Sequence, residues 1–287
     1  MDWQQAQKEL ISQLSTLYEG REAAGITDWV MEHLSGWKKI DRILHRSEPL
    51  APSTIDQLKK YTDELRNHRP VQYVLHESWF CGMKFYVDEQ VLIPRPETEE
   101  LVEWIVTDAR VAAGSSPPSR VILDVGTGSG CIAISLKKKL DAMNVHACDV
   151  SEGALTIARH NATTLGADIQ LHRLDFLDSR QWESLPRVDY LVSNPPYIPS
   201  KEKTTMAPHV VGFEPHLALF VEDGDPLVFY RALAEFARQK LLPGGSIFAE
   251  IHEDLAGATL DLFKTAGFQK VILRKDMQGR DRMIKAS

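Results

Sequence analysis

Apolar residues recur at three- and four-residue steps in the first part of the chain. The two runs that show this spacing most clearly are Trp3, Ala6, Leu10, Leu14 and Leu17, and then Leu58, Tyr61 and Leu65. Such spacing gathers the apolar side chains on one face of a helix, where they can be buried together. We therefore predict a small helical domain over residues 1–75.

The pattern changes in residues 76–119, which we interpret as a short bridge to the next domain. Aromatic residues on both sides of Gly82 favour a β-hairpin. Thr98 then opens an amphipathic segment that predicts a helix. The segment 114–119, Gly-Ser-Ser-Pro-Pro-Ser, has the composition of a linker.

From Arg120 onward, short apolar runs alternate with helical patterns. The predicted strands cover 121–125, 145–150, 188–193 and 246–251, and the predicted helices cover 131–140, 153–165, 227–242 and 255–266. This alternation predicts right-handed βαβ units and an open parallel sheet covered on both faces, a Rossmann-like α/β domain over 120–287. Two last runs, 270–274 and 282–285, are spaced like a closing pair of edge strands. Ligands of such sheets bind beyond the carboxyl ends of the strands.

Composition narrows the function classes. The 287 residues carry 33 Lys and Arg against 40 Asp and Glu, so the net charge is -7 and the chain is not a polycation that coats nucleic acid. Three cysteines without CxxC spacing exclude a disulfide framework and disfavour a cysteine zinc site. The ten histidines form no metal-spaced cluster, and we predict no metal.

Hydropathy bears on location. No window approaches 18 consecutive apolar residues, and residues 1–5 have neither a basic nor an apolar targeting region. We therefore expect a cytoplasmic protein.

A glycine-rich turn follows the first predicted strand of the α/β domain. Its residues are Gly126, Thr127, Gly128, Ser129 and Gly130. Glycines allow the backbone to approach a ligand closely. The dinucleotide fingerprint needs Gly or Ala three places after its second glycine, and Cys131 stands there, which disfavours a nicotinamide dehydrogenase.

An acidic residue ends the second predicted strand. Asp149 lies 23 residues after Gly126, where a carboxylate can accept hydrogen bonds from ribose hydroxyls. The combination indicates an adenosine-containing cofactor that needs no pyrophosphate cradle. S-adenosylmethionine meets this description, because its cationic sulfonium suits a site with Asp124 and Asp149 nearby. The alternative is that Asp124 caps a turn and Asp149 ends a strand in an unrelated doubly wound fold.

The strand 188–193 runs directly into Asn194, Pro195, Pro196 and Tyr197. The prolines restrict the backbone and remove two N–H donors, so the carbonyl groups of Asn194 and Pro195 can point outward. An amide side chain beside a backbone carbonyl forms a pair of acceptors for an NH₂ group. The segment therefore predicts a site for a primary amide or an exocyclic amine, although a rigid structural loop is the alternative.

Methyl transfer to an amide explains why such acceptors would be useful. An amide nitrogen is a poor nucleophile because its lone pair is delocalised, and acceptors that bind its hydrogens favour a more pyramidal, electron-rich nitrogen. Positioning and fixed dipoles would supply most of the rate enhancement, without a strong general base. Tyr197 could stack on the planar substrate group and face the sulfonium, a contact of roughly 0.5–2 kcal/mol.

Segments along nearly the whole chain resemble the HemK/PrmC family, S-adenosylmethionine-dependent methyltransferases of the glutamine in the Gly-Gly-Gln motif of class I peptide chain release factors. The matching segments are 80–82, 92–99 with Ile-Pro-Arg-Pro-Glu-Thr-Glu, the glycine turn, 194–199 with Asn-Pro-Pro-Tyr-Ile-Pro, 214–215, 218–219 and 279–282. The Ile-Pro-Arg-Pro-Glu-Thr-Glu segment discriminates best, because adenine-N6 methyltransferases share Asn-Pro-Pro-Tyr.

The resemblance implies roles for individual residues. Gly126 to Gly130, Asp149 and Asn194 would bind the cofactor, with Asp175 near the adenine amino group and Phe176 against its ring. The family often has tryptophan at the position of Phe176. Asn194, Pro195, Pro196 and Tyr197 would hold the glutamine side chain, and Asn194, Pro195 and Tyr197 would be the catalytic residues. Arg95, Glu97 and Thr98 would help to close the pocket, and the helical domain would recognise the release factor.

Other function classes remain as alternatives. A DNA adenine methyltransferase could use the same acceptors on a flipped base, but it would need a basic face and a sizeable target-recognition region. About 90 residues follow Tyr197, and the predicted sheet uses most of them. A small-molecule methyltransferase is a further alternative. A catalytically silent S-adenosylmethionine-binding module would be expected to show a broken glycine turn or a substituted Asn194, and both are intact.

Overall fold

The computed structural model describes residues 1–113 and 120–287, so the predicted linker 114–119 lies outside the described residues. The helices are α1 (Trp3–Leu14), α2 (Gly20–Ser35), α3 (Lys39–Leu44), α4 (Pro52–Arg66), α5 (Val71–Leu75), α6 (Pro96–Ala113), α7 (Cys131–Lys139), α8 (Glu152–Leu165), α9 (Pro208–Phe213), α10 (His216–Leu219), α11 (Val228–Lys240) and α12 (Ala256–Thr265). The strands are β1 (Ser78–Phe80), β2 (Met83–Phe85), β3 (Val121–Val125), β4 (Asn144–Asp149), β5 (Gln170–Arg173), β6 (Val188–Ser193), β7 (Ile198–Pro199), β8 (Phe220–Val221), β9 (Leu241–Glu250), β10 (Val271–Lys275) and β11 (Asp281–Ala286). In the described part of the chain, no helix is long and apolar enough to cross a membrane.

The described chain forms two compact units. The first contains Met1–Glu77 and Ala207–Phe213, and the second contains Ser78–Met206 and Glu214–Ser287. The hairpin and the helix predicted within the bridge 76–119 therefore group with the sheet, from Ser78 onward.

The first unit is helical because its sequence supplies both caps and an apolar stripe. At the start of α1, the Gln5 backbone N–H donates to Asp2 Oδ1 at 2.8 Å and the Asp2 N–H donates to Gln5 Oε1 at 3.0 Å, a capping box. The apolar residues of the periodic runs meet in one cluster, in which Leu10 on α1 packs with Leu58 and Leu65 on α4. Leu17 is the exception, since it follows the end of α1 and is exposed. The helical domain predicted from the sequence is confirmed.

The second unit is built on a seven-stranded sheet in the order β10-β11-β9-β6-β3-β4-β5. The strands from β9 to β5 in that order pair in parallel, as predicted. The predicted closing pair of edge strands is present as the antiparallel pair of β10 and β11 at one end of the sheet, with β10 at the edge and β11 also paired antiparallel with β9. An interior position suits β11 because Met283 and Ile284 are fully buried.

Two apolar clusters cover the two faces of this sheet. Successive residues of β3 point to opposite faces, so Ile122 packs with α6 and α7 while Leu123 packs in a cluster that includes Phe236 on α11 and Phe263 on α12. The Rossmann-like architecture predicted from the sequence is confirmed. It leaves the carboxyl ends of β3, β4 and β6 side by side, where the loops that follow them meet.

The predicted hairpin is present between β1 and β2, which pair antiparallel with Phe80 opposite Met83. Cys81 and Gly82 form its two-residue turn, both with positive φ, as hairpins of this length require. Phe80 and Phe85 are fully buried in the same cluster as Ile122, which anchors the hairpin to the sheet.

Candidate active site

The glycine turn is tied to the end of the neighbouring strand β4. The backbone N–H groups of Gly126 and Thr127 both donate to the Cys148 carbonyl, at 2.9 and 3.0 Å. The Gly128 N–H donates to Asp149 Oδ2 at 2.9 Å, and Asp149 Oδ1 accepts from the Ser151 N–H at 2.9 Å. Asp149 therefore joins the turn after β3 to the start of α8.

Three residues of the turn have structural contacts. Thr127 Oγ1 donates to Asp124 Oδ2 at 2.7 Å, and the Ser129 carbonyl accepts from Asn161 Nδ2 at 2.9 Å. At Gly130, whose φ is +81°, an added Cβ would be strained and would lie 3.0 Å from Ile134 Cδ1 on α7 and 3.3 Å from Ala158 Cβ on α8. These contacts hold the turn in shape.

Asn161 on α8 was not anticipated from the sequence. Its side chain accepts from the Tyr86 N–H at 2.8 Å and donates to the Tyr86 carbonyl at 3.0 Å, in addition to its contact with the glycine turn. The residue is 2% exposed. Its position among the apolar residues of the helix face is the only sequence signal that could have pointed to it.

Asp124 lies beneath the turn and is fully buried. Burial raises the pKa of its carboxyl group to about 7, and the charge of Asp149 adds to the shift. Its Oδ1 atom has no hydrogen-bond partner. Asp124 therefore supports the turn from below, at a cost in desolvation.

A cavity of about 310 Å³ opens over the turn at the carboxyl edge of the sheet. Of the residues predicted to bind cofactor or substrate, it is lined by Gly126, Gly128, Asp149, Asp175, Phe176, Asn194, Pro195 and Pro196. Thr127, Ser129, Gly130 and Tyr197 do not line it. The wall is mostly apolar, and its charged side chains are the carboxylates of Asp149 and Asp175, with no Lys or Arg among the described residues that line it.

Sequence reasoning missed part of this wall. Val150, Leu177 and Leu217 line the cavity although each is more than a third exposed. Isolated exposed apolar residues are common on protein surfaces, so no local signal distinguished these three. Together they give the cavity mouth an apolar rim.

Asp175 and Phe176 lie side by side in the wall. The Leu177 N–H donates to Asp175 Oδ1 at 2.9 Å, while the Phe176 carbonyl accepts from Trp182 Nε1 at 2.9 Å. The Phe176 ring centroid is 5.4 Å from that of Trp182 and 5.3 Å from that of Phe236. Phe176 is therefore fixed by aromatic neighbours in the core where it meets the cavity.

A chain of hydrogen bonds runs from Asn194 into the protein. Asn194 Nδ2 donates to Thr98 Oγ1 at 3.1 Å, and Thr98 Oγ1 donates to Glu250 Oε2 at 2.7 Å. Tyr197 OH donates to the other carboxylate oxygen, Glu250 Oε1, at 2.7 Å. We refer to Asn194, Thr98, Glu250 and Tyr197 as the amide network.

Glu250, at the end of β9, is the member of the amide network that the sequence did not reveal. It is 2% exposed, and burial raises the pKa of its carboxyl group, while the hydroxyl groups of Thr98 and Tyr197 and the charge of Arg282 oppose that shift. Burial, followed by the charge of Glu250, raises the pKa of Tyr197 well above its usual value. Tyr197 is therefore a neutral hydrogen-bond donor at physiological pH.

The segment before α6 is held by an ion pair. Arg95 Nη2 lies 2.6 Å from Glu214 Oε1, and Glu214 Oε2 accepts from the Ile93 N–H at 3.3 Å. Glu97, in the first turn of α6, accepts from Gln278 Nε2 at 3.2 Å. Of the three residues expected to help close the pocket, Thr98 alone contacts Asn194.

Within residues 1–113 and 120–287, no group of three or more His, Cys, Asp or Glu side chains is arranged to hold a metal ion. Cys81, Cys131 and Cys148 are free thiols.

Comparison with known structures supports the fold. A Methyltransferase small domain model matches residues 108–212, and a PrmC N-terminal domain model matches residues 5–75. The chain is similar to the hMettl16 catalytic domain in complex with MAT2A 3′UTR hairpin 6, with a TM-score of 0.55, 16% identity, and coverage of 82% of this chain and 81% of that one. The chain is also similar to the human methyltransferase 10 domain containing protein, with a TM-score of 0.50, 17% identity, and coverage of 71% and 88%.

Relatives with higher sequence identity cover almost the whole chain. A release factor glutamine methyltransferase of Flavobacterium psychrophilum is 39% identical over 97% of this chain and 96% of its own length. A release factor glutamine methyltransferase of Bacteroides thetaiotaomicron is 38% identical over 96% of both chains. These identities and coverages, together with the match to the PrmC N-terminal domain, show that the chain belongs to the release factor glutamine methyltransferase family.

Proposed function

We propose that this protein methylates the side-chain amide nitrogen, N5, of the glutamine in the Gly-Gly-Gln motif of class I release factors, with S-adenosylmethionine as methyl donor. Relatives at 38–39% identity over at least 96% of the chain carry the name of this activity. The motif and the nitrogen are what the resemblance to the HemK/PrmC family implies, and the residues involved are inferred from the site.

The charge of the cavity wall is the observation that carries the cofactor assignment. Asp149 and Asp175 are acidic, and no basic side chain in the described part of the wall would meet a phosphate. A cationic sulfonium fits this wall better than a dinucleotide does. At Gly126 and Gly128 an added Cβ would meet nothing within 4 Å, so the turn leaves open a space that side chains would fill.

The residues that line the cavity can be assigned to parts of the cofactor. Gly126, Gly128 and Asp149 would hold the ribose and amino-acid portion, and Asp175 and Phe176 would hold the adenine. S-adenosylmethionine supplies an electrophilic methyl group when bound. Thr127, Ser129 and Gly130 would act indirectly, because they hold the turn and do not line the cavity.

Asn194 and Pro195 would bind the substrate amide. The Asn194 side-chain oxygen and the Pro195 carbonyl accept the two amide hydrogens and favour a nitrogen with a more available lone pair. Pro196 keeps the backbone rigid beside them. Tyr197 would support this site through Glu250, to which its hydroxyl is bonded. The product nitrogen can lose its proton to solvent after transfer, so no strong general base is needed.

The N-terminal unit would recognise the folded release factor. Residues 5–75 match the PrmC N-terminal domain, and this unit has its own buried apolar cluster. The release factor works in the cytoplasm, so we place the protein there. The net charge of -7 disfavours DNA as a substrate.

Methyl transfer to a purified release factor tests this function. The protein is incubated with S-adenosylmethionine labelled in its methyl group and with the release factor, its Gln→Ala motif variant, or duplex DNA. We expect label on the intact release factor alone, and mass spectrometry should place one methyl group on the motif glutamine. Equal labelling of the two release factor forms, or labelling of adenine in the DNA, would contradict the proposal.

A further inference from the structure

We propose that Thr98 and Glu250 are positioning residues that hold the Asn194 amide with its oxygen toward the substrate, and that the site thereby selects a glutamine amide over a glutamate carboxylate. The inference rests on the proposed function and adds its selectivity. It follows from the direction of each hydrogen bond in the amide network.

The direction is set at Glu250. Burial opposes ionisation of Glu250, but a hydroxyl donor at each of its two oxygens and the positive charge of Arg282 favour the ionised form. An ionised carboxylate accepts hydrogen bonds and cannot donate them, so both hydroxyl groups donate their protons to it. Tyr197 OH lies 2.7 Å from Oε1 and Thr98 Oγ1 lies 2.7 Å from Oε2. Arg282 contributes a favourable positive charge to this carboxylate. The Thr98 hydroxyl therefore donates its only proton to Glu250 and has none left to donate to Asn194.

Thr98 can then only accept from Asn194. Of the two ends of the amide, the NH₂ group is the donor, so Nδ2 must face Thr98, to which it donates at 3.1 Å. The reversed amide would place two acceptors against each other, or would take the Thr98 proton from Glu250 and leave a buried carboxylate oxygen without a partner. By the usual cost of a buried unpaired group, the reversed amide is disfavoured by roughly 10- to 100-fold.

The next two residues keep the Asn194 oxygen available. Asparagine side chains often accept from the backbone N–H two residues later, but Pro196 has no N–H and neither does Pro195. In the described chain, no protein donor bonds to Asn194 Oδ1, and Asn194 lines the cavity. The two prolines and the amide network therefore both leave Asn194 Oδ1 available to accept a hydrogen bond.

A free acceptor selects for a donor. A glutamine amide can donate a hydrogen to Asn194 Oδ1, whereas a glutamate carboxylate would bring a negative charge against an oxygen lone pair. Without Thr98 as acceptor, the Asn194 amide could rotate by 180° and offer its NH₂ group to a carboxylate. Loss of the Thr98 hydroxyl should therefore weaken the discrimination as well as the rate.

The experiment compares three variants of the full-length protein: Thr98→Val, which removes the hydroxyl at nearly constant size, Thr98→Ser, which retains it, and Thr259→Val. Thr259 is also fully buried, but its hydroxyl donates to the Leu255 carbonyl within helical structure away from the cavity. The readouts are kcat/KM for the release factor with its motif glutamine, and the ratio Ki/KM, where Ki is the inhibition constant of the release factor Gln→Glu variant. S-adenosylmethionine affinity and thermal unfolding check that each variant is folded.

For Thr98→Val we expect kcat/KM to fall roughly 10- to 100-fold and Ki/KM to fall about 10-fold or more toward unity, with S-adenosylmethionine affinity retained. Thr98→Ser should recover most of both quantities, and Thr259→Val should keep the wild-type Ki/KM. A folded Thr98→Val protein with the wild-type Ki/KM, or a Thr98→Ser protein as impaired as Thr98→Val, would overturn the assigned orientation and leave the proposed function standing. Failure of the wild-type protein to label the release factor would overturn both.

Discussion

The carboxyl group of Asp124 makes an unfavourable contribution to stability at neutral pH. It is fully buried, one of its oxygens has no partner, and its pKa rises to about 7 from the usual 3.8 of an aspartate. The folded state therefore binds this proton more tightly than the unfolded state does. The associated stability is fully present below pH 4 and is lost as the pH rises through about 7.

Substitution of Asp124 by asparagine should change the pH dependence of unfolding. Because asparagine can accept from Thr127 without a buried charge, Asp124→Asn should gain stability relative to wild type as the pH rises from 4 to 8, by on the order of 3 kcal/mol. Chemical denaturation across this pH range without S-adenosylmethionine measures the difference. Asp141→Asn removes an almost fully exposed carboxylate and serves as control. Parallel stability curves for wild type and Asp124→Asn would contradict the expectation.

The substrate role of Asn194 predicts a separation of binding from turnover. Asn194→Ala removes the acceptor that is proposed to face the substrate, so methyl transfer should fall by at least about 100-fold. S-adenosylmethionine affinity, measured by calorimetry, should change by less than about threefold, since Asn194 is one of many residues in the wall. A loss of cofactor affinity as large as the loss of turnover would place Asn194 on the cofactor instead.

Residues that act through local sequence were predictable, and residues that act through distant partners were not. The glycine turn and Asn194-Pro195-Pro196 each follow a strand directly, and the structure brings Gly126, Gly128 and Asn194 to one cavity. Glu250 follows a run of apolar residues like many strand-end carboxylates. Its importance comes from Thr98, which lies 152 residues away in the sequence.

At the scale of elements, the glycine turn needs residues that tolerate a positive φ, and it also forms part of the cavity wall. Gly128 has a φ of +53° and lines the cavity, whereas Gly166, at the end of α8, has a φ of +61° and does not. Neither position has a heavy atom within 4 Å of an added Cβ. Alanine would therefore strain the backbone at both positions, but its methyl group would occupy the cavity only at Gly128.

Substitution of Gly128 or Gly166 by alanine should lower the stability equally, but only one of the two substitutions should lower the affinity for the cofactor. Gly128→Ala and Gly166→Ala should each lower the free energy of unfolding by about 1 kcal/mol, because alanine is strained at positive φ. Only Gly128→Ala should weaken S-adenosylmethionine binding, by about tenfold or more, because its methyl group occupies the cavity. Calorimetric titration of both variants decides, and equal affinities would show that the turn does not meet the cofactor.

Strand bounds were predicted best where both faces of a strand are buried. The strands 121–125 and 188–193 have the same bounds in the sequence prediction and in the structure. β9 begins at Leu241, earlier than predicted, because Leu241 pairs with Val188 on β6 although it lies before the predicted strand 246–251. The interior position of β11 could not be predicted, since the order of strands depends on which edge a hairpin returns to.

At the scale of the whole molecule, the division into two compact units predicts a separate function for each unit. The first has its own apolar cluster, and the cavity is lined entirely by residues of the second. The proposed recognition of a folded release factor by the first unit would add binding energy only for a substrate large enough to reach it. Short peptides with the Gly-Gly-Gln motif should depend on the second unit alone.

Removal of residues 1–77 tests this division. A chain that begins at Ser78 should keep its S-adenosylmethionine affinity within about threefold, while kcat/KM for the intact release factor should fall by about 100-fold or more. With a Gly-Gly-Gln peptide, kcat/KM should be similar to that of the full chain. An equal loss on peptide and intact factor would show that the first unit does not select the substrate.

The amide network joins segments that are far apart in the sequence. Asn194 and Thr98 are separated by 96 residues, and Thr98 and Glu250 by 152. Such contacts are expected to form late in folding, because closing a long loop lowers the chain entropy before the new contacts stabilise it. A refolding population should therefore regain its helical circular dichroism before it regains methyl transfer, and the enzyme's own turnover would report the last step of its folding.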